Sequence, residues 1–252
     1  MALSHVLLID ESQTSVPQTG VNPQRLSRFC VTVGVACLWE KCGPLLHALD
    51  DLREGVFVPQ KTPREWKGRY LVAGGNRRAS ITIDRACSQL AALATAHGLN
   101  IWVMVADRTT FADAEVSQVV AARDAARQFL FERVTGNPAF RAASEGSWAV
   151  VADHETSREV ARLTTFMKGF YNEFTRARLP SWIHSAALAG ASEDWGGIQV
   201  ADVYAYFAAH YRASEMKVGG DFEVATAFKT RLWPTLMHTV LGRTRGIGYK
   251  TW

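Results

Sequence analysis

The sequence predicts an α/β protein built on a mixed sheet with helices on both of its faces. Two observations carry this, and a third points to a site on it. Short, almost continuously apolar runs recur at residues 6–9, 29–39, 101–106 and 148–152, the pattern of strands covered on both sides. Stretches with helical spacing alternate with them, as at residues 83–97 and 116–134, which is how helices come to cover a sheet. Three of the apolar runs end directly in an aspartate, at Asp10, Asp107 and Asp153.

Each element has its own local cause. The VLLI run at 6–9 stops at Asp10-Glu11, and the Ser, Thr, Pro, Gly and Asn of residues 12–27 read as a connection. The β-branched and aromatic run 29–39 reads as a second strand. Residues 45–52 have helical spacing between Gly43-Pro44 and Gly55, and 56–59 read as a short extended piece. The amphipathic helix at 83–97 is stopped by Gly98. A long helix at 116–134 ends before Gly136-Asn137-Pro138, and a helix at 157–178 carries an apolar stripe at Val160, Leu163, Phe166, Phe170 and Phe174 up to Pro180. Trp182-Ile183 reads as the start of a short strand. Gly196-Gly197 precedes a helix at 198–212, and a last helix at 222–241 is interrupted near Pro234. Neither a repeat nor a long linker divides residues 1–252, so one domain with helical insertions and a C-terminal helical extension is expected.

Composition excludes several classes. With 252 residues, 48% hydrophobic and 21% charged, the chain can bury a sizeable core and is neither disordered nor fibrous. No window approaches the roughly 18 apolar residues of a membrane span, and no secretory signal is evident at the N-terminus. A cytoplasmic protein without a membrane partner is therefore expected. The four cysteines, Cys30, Cys37, Cys42 and Cys87, form no CxxC pair, which argues for buried thiols rather than a zinc cluster. A net charge of +4 permits a polyanionic partner without requiring one.

An aspartate that ends one strand is often only a cap for the following turn. Three in one chain, together with Asp202, point to more. In the helix at 198–212, Ile198, Ala201, Ala205 and Ala208 form a small-residue face. Asp202 lies four residues after Ile198 and three before Ala205, beside that packing face. A lone carboxylate there is costly unless a metal, a cation or hydrogen-bond donors meet it. Gln199 lies one turn earlier and can orient it, or a ligand. The bland alternative is a structural ion pair with an Arg.

Taken together, Asp10-Glu11-Ser12, the later Glu65-Trp66-Lys67-Gly68, the strand ending at Asp153 and the Gly197-Ile198-Gln199-x-x-Asp202 helix resemble the family named domain of unknown function 3800, from Leu7 to about Arg212. The family commonly has Gly where this chain has Gln13. The resemblance implies a ribonuclease H-like fold and a metal-dependent nuclease acting on RNA or DNA. It implies Asp10, Asp153 and Asp202 as ligands of Mg²⁺ or Mn²⁺, and Glu11 and Glu65 as further catalytic carboxylates. Ser12, Lys67 and Gln199 would bind substrate. Hard oxygen ligands suit these ions, and a two-metal site activates water and stabilises the leaving oxygen of a phosphodiester. A non-catalytic nucleic-acid or protein-binding module on the same fold is the alternative.

Two assignments stay open. Adjacent strand residues face opposite ways, so Glu11 joins Asp10 only if the chain bends at Ser12; otherwise Glu11 pairs with a base such as Lys67. Asp107 rivals Asp153. In a ribonuclease H-like sheet the first parallel strand after the opening hairpins lies beside the first strand, and if that is the 101–106 strand, Asp107 is nearest Asp10. Around Glu65, the cations Arg64, Lys67, Arg69, Arg77 and Arg78, with Trp66 and Tyr70, are either a phosphate- and base-gripping surface or a solvated loop. His154 and His184 are candidate proton carriers.

Overall fold

The structure is a computed structural model that describes residues 3–13, 28–57, 63–72, 82–111, 117–136, 146–153, 157–172, 176–237 and 249–251. It is an α/β arrangement around one six-stranded mixed sheet. Its strands are β1 (Leu3–Gln13), β2 (Phe29–Leu38), β3 (Asn100–Asp107), β4 (Ser147–Asp153), β7 (Ile183–Gly190) and β8 (Tyr249–Thr251), in the order β7-β4-β1-β2-β3-β8. β1, β2 and β3 form an antiparallel meander, with Asp10 opposite Val33 and Phe29 opposite Asp107. β4 runs parallel to β1, with Ile9 opposite Ala152, and β7 runs parallel to β4. β8 adds in parallel to β3.

The alternation of the strands sorts the core into two layers. Val6, Leu8, Val33, Val35, Val103, Val105 and Val151 face one side. There they meet α1 (Cys42–Val56), α3 (Ile83–Ala96) and α6 (Gly196–Glu215). Leu7, Ile9, Met104 and Val150 face the other side. There they meet α4 (Gln118–Gly136) and α5 (Ser157–Gly169). Full burial of each such aliphatic side chain stabilises the fold by about 1.5–3 kcal/mol.

α6 is the central helix. From Gly196 to His210 every residue is buried except Asp202. Its first turn can lie this deep because it begins with two glycines. A Cβ on Gly197 would stand 2.6 Å from Leu8 Cδ1, and one on Gly196 would stand 3.1 Å from the Leu46 backbone. The small-residue face read from the sequence is thus part of a helix enclosed on all sides.

Four local expectations need correction. The helix expected at 157–178 ends at Gly169. Phe170 turns into the core against Phe131. Asn172 then buries its amide against Thr135 Oγ1 at 3.0 Å, and β5 (Tyr171–Asn172) pairs with β6 (Ala177–Arg178). A glycine followed by a buried polar anchor outweighs the apolar stripe, whose last residue, Phe174, lies outside the described residues. The strand begun at Ile183 runs the full length of β7. α1 continues through Gly55 to Val56, so the extended piece does not begin at Val56. The last helix is short: α7 (Phe222–Ala227), a π turn at Phe228–Leu232 and a 3₁₀ turn at Trp233–Thr235. Leu236 then bridges to Ile101. Among the described residues, no helix is long and apolar enough to cross a membrane.

Candidate functional site

Alternation decides where the carboxylates go. Val6 and Leu8 face α6, so Asp10 does too. On β4, Ala149 and Val151 face the same side, and Asp153 follows them. Because Ile9 stands opposite Ala152, Asp10 and Asp153 lie side by side where the parallel pairing of β1 with β4 ends, with the strands about 4.8 Å apart. Asp202 arrives from α6, which packs across β1 and β2. The structure therefore brings Asp10, Asp153 and Asp202 to one end of the sheet.

The electrostatics follow from this crowding. Asp10 is only 7% exposed. Burial pushes its carboxyl well above the usual range, and the Asp202 and Asp153 charges push it further, against the Glu11 N–H and Lys67. Burial raises Asp202 to about 6, with Asp153 and Glu65 adding to the shift and the Gly68 N–H and Lys67 opposing it.

A short strap at 63–72, ending in α2 (Gly68–Val72), is pinned across α6 at two points. The Trp66 N–H donates to Gln199 Oε1, and the Gly68 N–H donates to Asp202 Oδ1, each at 2.8 Å. The Trp66 indole, fully buried, anchors the strap by donating to the Leu49 carbonyl at 3.1 Å. Gly68 is needed for this approach, since a Cβ there would stand 2.4 Å from Tyr206 Cβ. Between the two pins, Lys67 Nζ lies 3.4 Å from Glu65 Oε1 and 4.0 Å from Asp202 Oδ2. Glu65 also accepts a hydrogen bond from Ser192. Glu65 and Lys67 are thus one ion pair at the rim of the carboxylate group. The Gln199 amide nitrogen, fully buried, has no hydrogen-bond partner among the described residues.

Glu11 is corrected. β1 continues without a bend through Gln13, so Glu11 emerges on the opposite face from Asp10. Its partner is Arg127 on α4 rather than Lys67. The guanidinium grips both carboxylate oxygens, Nε to Oε1 at 2.5 Å and Nη2 to Oε2 at 2.6 Å. Arg123, one helical turn earlier, lies 3.7 Å from Glu11 Oε2 and bonds Glu159 at 2.8 Å. An open cleft lined by Asp10, Glu11, Arg127, Asp153 and Glu159 reaches the carboxylate end of the sheet from the side of α4 and α5.

Asp107 is separated from this group. β3 is not the parallel neighbour of β1; it is the third strand of the meander, with β2 between. The Asp107 carboxylate accepts from Arg28 Nε at 2.7 and 2.8 Å and from the Thr109 N–H at 3.0 Å. Burial would raise its pKa, but Arg28 and Thr109 outweigh this and hold it below the usual value. It caps the turn after β3, and Asp153 occupies the place beside Asp10.

The remaining residues separate as follows. His184 is exposed at the start of β7, whose Ile183 aligns with Trp148 at the far end of β4 from Asp153. Arg64 and Arg69 are exposed. His154, Arg77, Arg78 and the Ser12 side chain lie outside the described residues. Reading the sequence missed Ser192 and the Arg123–Arg127 pair. Two arginines spaced i, i+4 among Ala121, Ala122, Ala125 and Ala126 of α4 were the signal for the second.

Asp10, Asp153 and Asp202 fit a hard divalent cation in donor chemistry, as a crowded set of carboxylate oxygens with no thiol or imidazole beside them among the described residues. Among the described residues, no three Asp, Glu, His or Cys side chains already stand in ligating geometry. No family model, curated protein or solved structure matches the chain.

Proposed function

We propose that the protein is a metal-dependent nuclease with a ribonuclease H-like fold, hydrolysing phosphodiester bonds of RNA or DNA. The observation that carries this is the gathering of Asp10, Asp153 and Asp202 from β1, β4 and α6 at one end of the sheet. The strand order supports it, since β4, the first parallel strand after the opening meander, lies beside β1. The motif resemblance to the domain of unknown function 3800 family supports it further.

Asp10, Asp153 and Asp202 would hold Mg²⁺ or Mn²⁺. When bound, these ions supply a water of lowered pKa and stabilise the leaving oxygen. The chain's own residues prepare the place. The Gly68 N–H fixes one oxygen of Asp202 and leaves the other facing Lys67. Glu65 tethers the Lys67 ammonium at the rim, where it can receive a phosphate oxygen as a point charge. Arg127 holds Glu11 and so fixes the strand end that projects Asp10 to the other side.

A second reading, a binding module without catalysis, is favoured by one observation: the carboxylates do not stand in ligating geometry among the described residues. One experiment separates the two. The nuclease cleaves RNA or DNA with Mn²⁺ or Mg²⁺ and loses this in Asp10→Asn and Asp202→Asn. Cleavage surviving in both variants, or none in the wild type with either metal, rejects the nuclease.

A further inference from the structure

Away from the carboxylates, two thiols meet. Cys37 lies near the end of β2, opposite Val6, and Cys42 begins α1. Between them the chain makes a single 3₁₀ turn, Trp39–Lys41. This tight passage from strand to helix brings the two sulfurs to 3.7 Å, within hydrogen-bond contact of each other. Cys37 is 3% exposed, whereas Cys42 is half-buried and open to small solutes. The other cysteines, Cys30 and Cys87, are buried. Cys30 lies seven residues back along β2, roughly 23 Å at the rise of an extended strand.

We propose that Cys37 and Cys42 are a hydroperoxide-responsive pair that closes reversibly into a disulfide. Cys42 is the attacking sulfur, because it is the accessible one. The hydrogen bond from Cys37 holds the Cys42 thiol below its ordinary value, against the effect of burial. The Cys42 thiolate attacks one peroxide oxygen, the O–O bond breaks, and Cys42 sulfenic acid and hydroxide form. The Cys37 sulfur then attacks the Cys42 sulfur. The S–O bond breaks, and water leaves with the Cys37 proton. The two thiols give up two electrons, and one hydrogen peroxide becomes two waters. Closure to a normal S–S bond needs the sulfurs to approach by about 1.7 Å. A dithiol such as dithiothreitol reverses it by exchange.

The location gives the bond a consequence. Trp39, in the turn between the thiols, packs on Trp195 with ring centroids 5.9 Å apart. Trp195 is the N-cap of α6, the helix that carries Gln199 and Asp202. The disulfide would therefore tie β2 to α1 next to the start of that helix. None of this depends on the carboxylates binding metal.

The test uses the full chain, treated with hydrogen peroxide, denatured, alkylated with N-ethylmaleimide and weighed intact. The untreated protein carries four adducts, one for each of its four cysteines. The treated protein should carry two, and four again after dithiothreitol. Tryptic residues 29–41 and 42–53 should be cross-linked, with fragmentation placing the bond at Cys37 rather than Cys30. In Cys37→Ser, the same treatment should leave Cys42 as sulfinic acid, for want of a resolving partner. Four adducts in the treated wild type, a link through Cys30 or Cys87, or sulfinic acid on Cys42 of the wild type would each overturn the proposal.

Discussion

The Gly68 N–H donates to Asp202 Oδ1 at 2.8 Å, across 134 residues of sequence. It joins the start of a short helix in a surface strap to Asp202, the one residue of the Gly196–His210 stretch of α6 that is not buried. It also fixes the carboxylate that faces Asp10 and Asp153. The contact exists only because residue 68 has no side chain. Gly68→Ala would place a Cβ 2.4 Å from Tyr206 and force the strap away. Overpacking of this kind costs about 1–3 kcal/mol. Urea unfolding should show that loss, and Mn²⁺ affinity should fall with it. An unchanged stability would mean that the strap accommodates the methyl group by moving as a whole.

Glu11 is structural if its bidentate pairing to Arg127 is its role. Arg127→Ala leaves a largely buried carboxylate without its main cation, and should destabilise by roughly 2–3 kcal/mol. Glu11→Gln should leave Mn²⁺ affinity within about twofold, whereas Asp10→Asn should lower it by more than about 100-fold, beyond the range seen for residues that only orient ligands. Titration of both variants checks the distinction, and equal losses would put Glu11 back among the ligands.

Asp107→Asn separates the rival aspartates. It weakens the partner of Arg28, which is itself partly exposed, so a loss of about 1 kcal/mol is expected. Metal-dependent cleavage should be unchanged. Asp153→Asn should abolish cleavage. The reverse pattern in a nuclease assay would show that the strand neighbouring β1 is not the one that serves the site.

The pH dependence has a definite sign. Burial raises Asp202 from its ordinary 3.8 to about 6, so the folded state holds this proton more tightly than the unfolded state does. The stability from Asp202 is fully present below pH 3.8 and is lost as pH rises through about 6. Asp202→Asn should abolish that loss while keeping an acceptor for the Gly68 N–H. In chelator, the stability of wild type relative to the variant should fall by roughly 1–2 kcal/mol from pH 4 to 7, allowing for partial exposure of the side chain. Urea midpoints across this range measure it, and parallel profiles for the two proteins would refute the assignment.

Much of this was legible because it depends on short periods. The two-residue repeat of β1 foretold that Asp10 and Glu11 would part unless the chain bent, and it does not bend. The small residues of α6 foretold a close approach, and Asp202 beside that face foretold a carboxylate in need of partners. The direction of β3 was not legible. An apolar run of its length is equally good in a parallel or an antiparallel sheet, and reading it as parallel is what made Asp107 a rival of Asp153. The end of α5 was hidden for another reason. It depends on a buried contact of Asn172 with Thr135, across 37 residues, which no local pattern announces. The strap's hold on Asp202 runs through a backbone N–H, and a backbone donor leaves no signature in residue type.

The proposed nuclease stands on Asp10, Asp153 and Asp202 forming one divalent-cation site. Calorimetric titration of Mn²⁺ into the wild type, Asp10→Asn and Asp202→Asn tests it most directly. Saturable binding of two ions per chain is expected in the wild type, with its loss in both variants. A wild type that takes up no Mn²⁺, or variants that bind as it does, would contradict it.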